Sequence, residues 1–334
     1  MHSTTSAAFE SATMALLRHA AEQALKAPSI HNTQPWRFML TGQRLDICLD
    51  LSRRLPVLDP RGRQLLISCG CALGNARVAI AAAGYQPMVE RIPTPGLHNA
   101  VARLGVGAAR PIDASARLAA AIGRRRTNRR RFLGAPVSDD EAAALAAVAR
   151  SEDVELVRIQ APEQRRLLAE LLTQAARFEA TDSEYLKELL DWTTDDPARL
   201  DGVHAACVPY AGHGAAQLPG APVRQFDLRA MGWLPSAVAL GDECVFVLCT
   251  DADEPKAWLR AGEALQLVWL ELTATGLWAS PIGQVVELRG SQQRLREGLA
   301  LSGYPQLLLR VGRAPQAPAA RRRTPSEVIT EHLN

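Results

Sequence analysis

The apolar positions change period along the chain, and the changes mark out alternating helices and strands. Phe9, Leu16, Leu17, Ala20, Ala24 and Leu25 recur at helical spacing over residues 7–26, and Pro28 stops that helix. A period of two follows: RFML, the turn Thr41-Gly42-Gln43 and RLDICLDL predict a hairpin with Leu45, Ile47, Leu49 and Leu51 on one face. Asp59-Pro60 leads into a helix over 63–83, whose Leu65, Leu66, Cys69, Leu73, Ala76 and Ile80 form a broad apolar face. Gly70 and Gly74 on that helix permit close approach by another helix or by a planar ligand. Strands near 87–92 and 100–106 complete an α+β unit.

The remainder alternates in the same way. Helices are predicted over 114–122 and 139–150, a strand over 154–159, one long or two broken helices over 162–190, and a buried strand, CVFVLC, over 244–249. A helix over 256–276, a short one over 294–301 and a strand over 306–311 precede a Pro/Arg-rich tail. Residues 191–242 break the rhythm. They are rich in Gly, Pro and Ala and far exceed an ordinary connection of ~4–6 residues, which leaves a disordered segment, a functional lid or a dispensable insertion. Trp192, Tyr210, Phe226 and Trp233 within the segment favour a lid that docks.

Composition narrows the function classes. With 47% hydrophobic and 22% charged residues, 334 residues read as a soluble globular protein. A formal charge of +3 gives no overall cause for nucleic-acid or membrane binding. Cys48, Cys69, Cys71, Cys207, Cys244 and Cys249 lie mostly in apolar runs without metal-ligand spacing, so reduced thiols and no metal are expected. The N-terminus lacks a secretory pattern and no apolar run approaches ~18 residues, so a cytoplasmic location follows.

The stretch Ala27–Phe38, APSIHNTQPWRF, puts Ser29, Asn32, Thr33 and Gln34 between two prolines, with Trp36 behind. It reads either as a loop that recognises a heteroatom-rich ligand or as a capped turn over a core tryptophan. Arg124–Arg131, RRRTNRRR, requires an acidic partner or solvent; a solvated turn, a phosphate cradle and a nucleic-acid patch all compete for it. Only 5% aromatics and the nearby acidic run Asp139-Asp140-Glu141 argue against nucleic acid. His31, His204 and His213 are the histidines within segments of interest, and no catalytic constellation stands out, so no side chain is nominated as catalytic. A phosphate at the arginines, a flat heterocycle at the polar loop and close backbone approach at Gly283 in ASPIGQ would all be met by flavin mononucleotide (FMN).

In order along the chain, APSIHNTQPWRF (27–38), DPRGRQLLISCGCALGNARVAI (59–80), RRRTNRRRF (124–132), AGEALQLVWLELTATGLWASPIGQ (261–284) and YPQLLLRVG (304–312) resemble the FMN-dependent nitroreductase family, in particular its long single-chain Acg-like branch. The resemblance implies an α+β fold with FMN at an interface, which ordinary members build from two subunits. Here it implies two fused nitroreductase-like halves, 1–112 and 113–334, forming an intrachain pseudo-dimer with one competent site and residues 191–242 as a lid-like insertion. The chain would then be a monomer sufficient in itself, or a homodimer of such pseudo-dimers.

Carried over by position, Arg125, Thr127 and Arg129 match the phosphate segment, and Arg321 and Arg323 match the C-terminal basic pair. Pro28, Ser29, Ile30 and Asn32 match the loop that reaches the flavin across the interface, while Pro281, Ile282 and Gly283 match the backbone along its N5 edge. Arg124, Arg126, Arg130 and Arg131 remain as structural or solvated extras. The implied activity moves hydride from NADH or NADPH through FMN N5 to a nitroaromatic, quinone or similar small acceptor. An insertion that stays shut over the flavin would instead make a non-catalytic FMN-sequestering protein.

Overall fold

The computed structural model describes residues 2–93, 99–111, 114–129, 132, 135–204, 207, 226–227, 232–233 and 244–332. Its first part runs α1 (His2–Ala24), β1 (Trp36–Thr41), β2 (Arg44–Leu49), α2 (Arg63–Ala82), β3 (Tyr85–Arg91) and β4 (Ala100–Ala109). α3 (Ser115–Ile122), α4 (Asp139–Arg150), β5 (Glu155–Ile159), α5 (Pro162–Thr181) and α6 (Ser183–Asp191) come next. Ser138 and Glu141 form a capping box at the start of α4, and Asp182 ends α5 and caps α6, so the 162–190 stretch is two helices.

Two short pairings follow: β6 (Thr193–Thr194) with β7 (Val203–His204), and β8 (Phe226–Asp227) with β9 (Gly232–Trp233). Residues 205–206, 208–225, 228–231 and 234–242 of the expected insertion, Tyr210 included, lie outside the described residues. β10 (Cys244–Thr250), α7 (Pro255–Ala274), β11 (Trp278–Ile282), α8 (Gln284–Glu287), α9 (Arg289–Gly298), β12 (Tyr304–Gly312), α10 (Pro325–Val328) and β13 (Ile329–His332) complete the chain.

The strands form two principal sheets, ordered β13-β1-β2-β4-β3 and β11-β12-β10-β5. From β1 the first reads β1-β2-β4-β3, and from β5 the second reads β5-β10-β12-β11; all of these pairings are antiparallel. In each sheet a long helix, α2 or α7, connects the second strand to the edge strand. The two sheets therefore share one order and one connection pattern. β13 departs from it by adding in parallel to β1, with Phe38 opposite Ile329, so the C-terminal tail closes the first sheet. Neither β13 nor β11 follows from local sequence pattern.

α2 and α7 cross at Gly70 and Gly262 at the centre of the molecule. A Cβ on Gly70 would clash with the Leu259 carbonyl and lie 2.9 Å from Gly262 Cα; a Cβ on Gly262 would clash with the Ile67 carbonyl. Beyond the crossing, Gln266 Nε2 donates to Asn75 Oδ1 at 2.5 Å, which pairs two buried amides. Glycine is needed here for closeness, because any side chain pushes the helix backbones apart. Gly70→Ala is expected to lower unfolding free energy by about 2–3 kcal/mol, the usual cost of overpacking, in a denaturant titration; an unchanged midpoint would contradict the close crossing. α2 is long and apolar enough to cross a membrane, with hydropathy 1.6 over its most apolar window, but 83% of that window is buried inside the protein.

Candidate functional site

The site lies where the loop after α1 meets the second part of the chain. That loop is strained: His31, Asn32 and Gln34 all have positive φ (43°, 55° and 50°), a region that costs non-glycine residues energy. Side-chain hydrogen bonds hold it there. Ser29 Oγ accepts from the Gln34 backbone N–H at 2.9 Å, and the Ile30 N–H donates to Ser68 Oγ on α2 at 3.1 Å. Gln34 Nε2 donates to the Leu200 carbonyl, and its Oε1 accepts from the Arg323 N–H at 2.8 Å. Asn32 Nδ2 donates to the carbonyls of Gly202 and Arg321, while its Oδ1 accepts from Arg322 Nη1 at 2.8 Å. Loop, residues 200–202 and tail are thus laced by two amide side chains. Trp36 is fully buried core, and Pro28, Ser29 and Ile30 wall a cavity.

That cavity, about 150 Å³, is bounded on one side by the loop and by Gln64, Ile67, Ser68 and Cys71 of α2. Leu265 and Trp269 of α7, together with Pro281, Ile282 and Gly283, supply the opposite wall. Thr127 and Arg129 close one end, and an adjoining cavity of about 400 Å³ shares them along with Pro28 and Ser29. Residues 125–129 run extended beside β11, with Thr127 bridging Ala279 in parallel and the Asn128 N–H donating to the Ala279 carbonyl at 2.9 Å. An extended backbone carries alternate side chains to one side, which brings Arg125, Thr127 and Arg129 together.

Lys26, Arg125, Arg126, Arg129 and Arg322 line the larger cavity, and no Asp or Glu is among its described lining residues. Arg125 is 5% exposed and packs its guanidinium 4.7 Å from the centre of the Trp269 ring. Its Nε and Nη1 have no hydrogen-bond partner among the described residues. Burial, reinforced by Arg322, pushes the Arg125 pKa down to about 9. Arg322 is pushed down to about 10, again by desolvation and then by Arg126. Buried cations with orphaned donors, crowded by like charge, fit a phosphate ester.

The structure thus brings Pro28, Ser29, Ile30, Asn32, Arg125, Thr127, Arg129, Pro281, Ile282 and Gly283 around two joined cavities. It does not bring Arg321 or Arg323 there. Arg321 is exposed, and Arg323 is buried against Asp50, 3.4 Å away, and the Gln34 carbonyl. The intervening Arg322 lines the larger cavity instead. Arg126, read as an extra, is also on that wall, whereas Arg130 and Arg131 lie outside the described residues. Gln64, Ser68, Cys71 and Trp269 had gone unnominated although the motifs at 59–80 and 261–284 contain them. The described start of the expected insertion contributes Gly202, Val203, His204 and Cys207 to the walls.

The chain is 38% identical over 313 residues to "Putative NAD(P)H nitroreductase Rv3131" of Mycobacterium tuberculosis, covering 92% of this chain and 88% of that protein. It is 31% identical over 317 residues to "Putative NAD(P)H nitroreductase acg" of the same organism, covering 95% and 94%. No family model matches. Among solved structures, the FMN-dependent nitroreductase NfnB from Mycobacterium smegmatis in complex with NADPH aligns with a TM-score of 0.42 and 17% identity, over 66% of this chain and all of that one. The chain belongs to the NAD(P)H nitroreductase family, in its long single-chain Acg-like branch.

Proposed function

We propose that the chain is an FMN-binding NAD(P)H oxidoreductase of nitroreductase type. The observation that carries this is the buried Arg125 guanidinium, whose Nε and Nη1 have no partner among the described residues, beside a cavity with no Asp or Glu among its described lining residues and next to a narrower pocket of mixed polar and apolar walls. FMN, when bound, supplies the hydride chemistry, with a nicotinamide cofactor as reductant and a nitroaromatic, quinone or similar acceptor. This chain's part is to hold it. Arg125, Arg129 and Arg322 take the phosphate, Thr127 adds a hydroxyl, and Ser29, whose oxygen already accepts from Gln34, keeps its proton for the ligand. Pro281, Ile282 and Gly283 flank the ring edge. At Gly283 a side chain would run into the Glu287 carboxylate, so the backbone stays bare.

The chain is read as two fused halves, 1–112 and 113–334, forming an intrachain pseudo-dimer with one competent site. The shared strand order and the paired glycines support this. So does the position equivalent to the cavity. Two helical turns beyond the crossing glycines lie Trp269 on α7, which walls the cavity, and Arg77 on α2. One residue beyond the crossing glycines themselves lie Cys71, also on the wall, and Glu263. On the other side Arg77, Glu263, Arg91 and Glu152 form a partly buried ion-pair network, with Glu263 fully buried and 2.6 Å from both arginines.

Gly202, Val203, His204 and Cys207 on the cavity walls favour reading residues 191–242 as a cover over the flavin, and a cover that stays shut makes a storage protein. A cytoplasmic setting suits both readings, since the reductant is a cellular metabolite and all six cysteines are free. Anaerobic addition of NADH or NADPH to the flavin-loaded protein separates them: bleaching followed by recovery with a nitroaromatic is expected, and persistent yellow colour would leave storage.

Binding also carries a pH signature. Arg125 must hold its proton to bind a phosphate, and burial together with Arg322 pushes its pKa down to about 9 in the ligand-free protein. Above that value each binding event takes up a proton, so the FMN dissociation constant is expected to be flat through neutral pH. It then rises above about pH 9 by up to about tenfold per unit. Fluorescence titrations at several pH values check this.

A further inference from the structure

Gln64, the second residue of α2, is 4% exposed, lines the narrower cavity and has no hydrogen-bond partner for its Nε2. Its backbone is fixed from both sides. Asp59 accepts backbone N–H groups of the first turn, the Leu65 N–H at 2.9 Å among them, and the Ser68 hydroxyl donates to the Gln64 carbonyl at 2.7 Å. The side chain therefore leaves a rigid helix start at a preset angle. It arrives beside the segment after β11, where a Cβ on Gly283 would lie 3.6 Å from Gln64 Nε2. A buried amide donor without a partner costs about 1–3 kcal/mol, and a protein keeps such a group where a ligand completes it.

We infer that Gln64 is a ligand-binding residue of the ring pocket: its carboxamide N–H donates to the acceptor edge of a planar heterocycle, on the side lined by Pro281 and Gly283. The inference rests on the flavin reading above and adds to it the side chain that meets the ring. An isoalloxazine edge offers a carbonyl oxygen and a ring nitrogen as neighbouring acceptors, and the Gln64 amide stands beside the Gly283 backbone there. A donor at that edge stabilises negative charge on the ring, so it also raises the potential at which the flavin accepts electrons.

The structural alternative, a residue kept for packing, predicts the opposite pattern of effects, and this makes the test decisive. Gln64→Met keeps the volume and removes the orphaned amide. The ligand-free variant is expected to melt at or above the wild-type temperature, while its FMN dissociation constant rises about five- to twentyfold, the loss of one buried hydrogen bond. Gln64→Asn, one methylene shorter, withdraws the donor while keeping a polar group and is expected to weaken FMN similarly. For both, the midpoint potential of bound FMN should fall and its visible absorption bands shift. An FMN dissociation constant and potential unchanged from wild type, with or without a lower melting temperature, overturn the role of Gln64. Wild-type protein that takes up no FMN overturns the flavin reading itself.

Discussion

Arg125→Ala raises the FMN dissociation constant by about 10–100-fold and leaves the ligand-free protein as stable as the parent, or more so. The two effects have opposite signs for one reason. A charge-assisted hydrogen bond is worth about 1.5–3 kcal/mol, and Arg125 has free donors on the cavity wall to make such bonds with a phosphate. Without ligand, the same guanidinium is desolvated, faces Arg322 and Arg126, and has no described carboxylate in its cavity, which is why its pKa is depressed. The Trp269 ring beneath it offsets part of that cost. Paired fluorescence and thermal-unfolding titrations measure both quantities. A variant that loses stability but binds FMN unchanged would make Arg125 a structural residue.

Glu263→Gln is expected to destabilise the protein by about 3–5 kcal/mol, of the order of 10 °C in melting temperature. Glu263 is fully buried and accepts from Arg77 Nη1 and from Arg91 Nε and Nη2 at 2.6–3.0 Å. Glu152 shares Arg77 through two further bonds. Removing the central carboxylate strands two arginines against one remaining acid, and an uncompensated buried charge dominates the loss. Replacing Arg77, Arg91 and Glu263 together with apolar residues should recover much of that stability, because no charge is then left unpaired. A drop below about 1 kcal/mol for Glu263→Gln would show that the network is solvated.

Much of this arrangement was legible in the residues. Helical and strand periods located α1, the β1–β2 hairpin, α2, α4, β10, α7 and β12, because each is long or buries one face. The cavity wall at Pro28–Ile30 and Pro281–Gly283 came from a resemblance quoted on those same residues. What local pattern could not supply was partnership across the chain. β13 has no alternation of its own and exists through pairing with β1. Arg321, Arg322 and Arg323 are indistinguishable as neighbours in sequence; the Gln34 carbonyl and Asp50 draw in Arg323, and the Asn32 amide and the Ala27 carbonyl turn Arg322 toward the cavity. Gln64 reads as an ordinary polar residue near a helix start until its depth and its neighbour Gly283 are known. Glu263 similarly looks like a solvated helix charge, and only the crossing at Gly70 and Gly262 puts Arg77 and Arg91 around it.

The central claim is that one flavin site, built at an interface within a single chain, defines this protein. Titration of the full-length, flavin-free chain with FMN, followed by quenching of flavin fluorescence, tests it most directly. Saturation at one equivalent per chain is the result predicted, on the proposal that Arg77, Glu263, Arg91 and Glu152 occupy the equivalent second position. Saturation at two equivalents, or no saturable uptake, would contradict it.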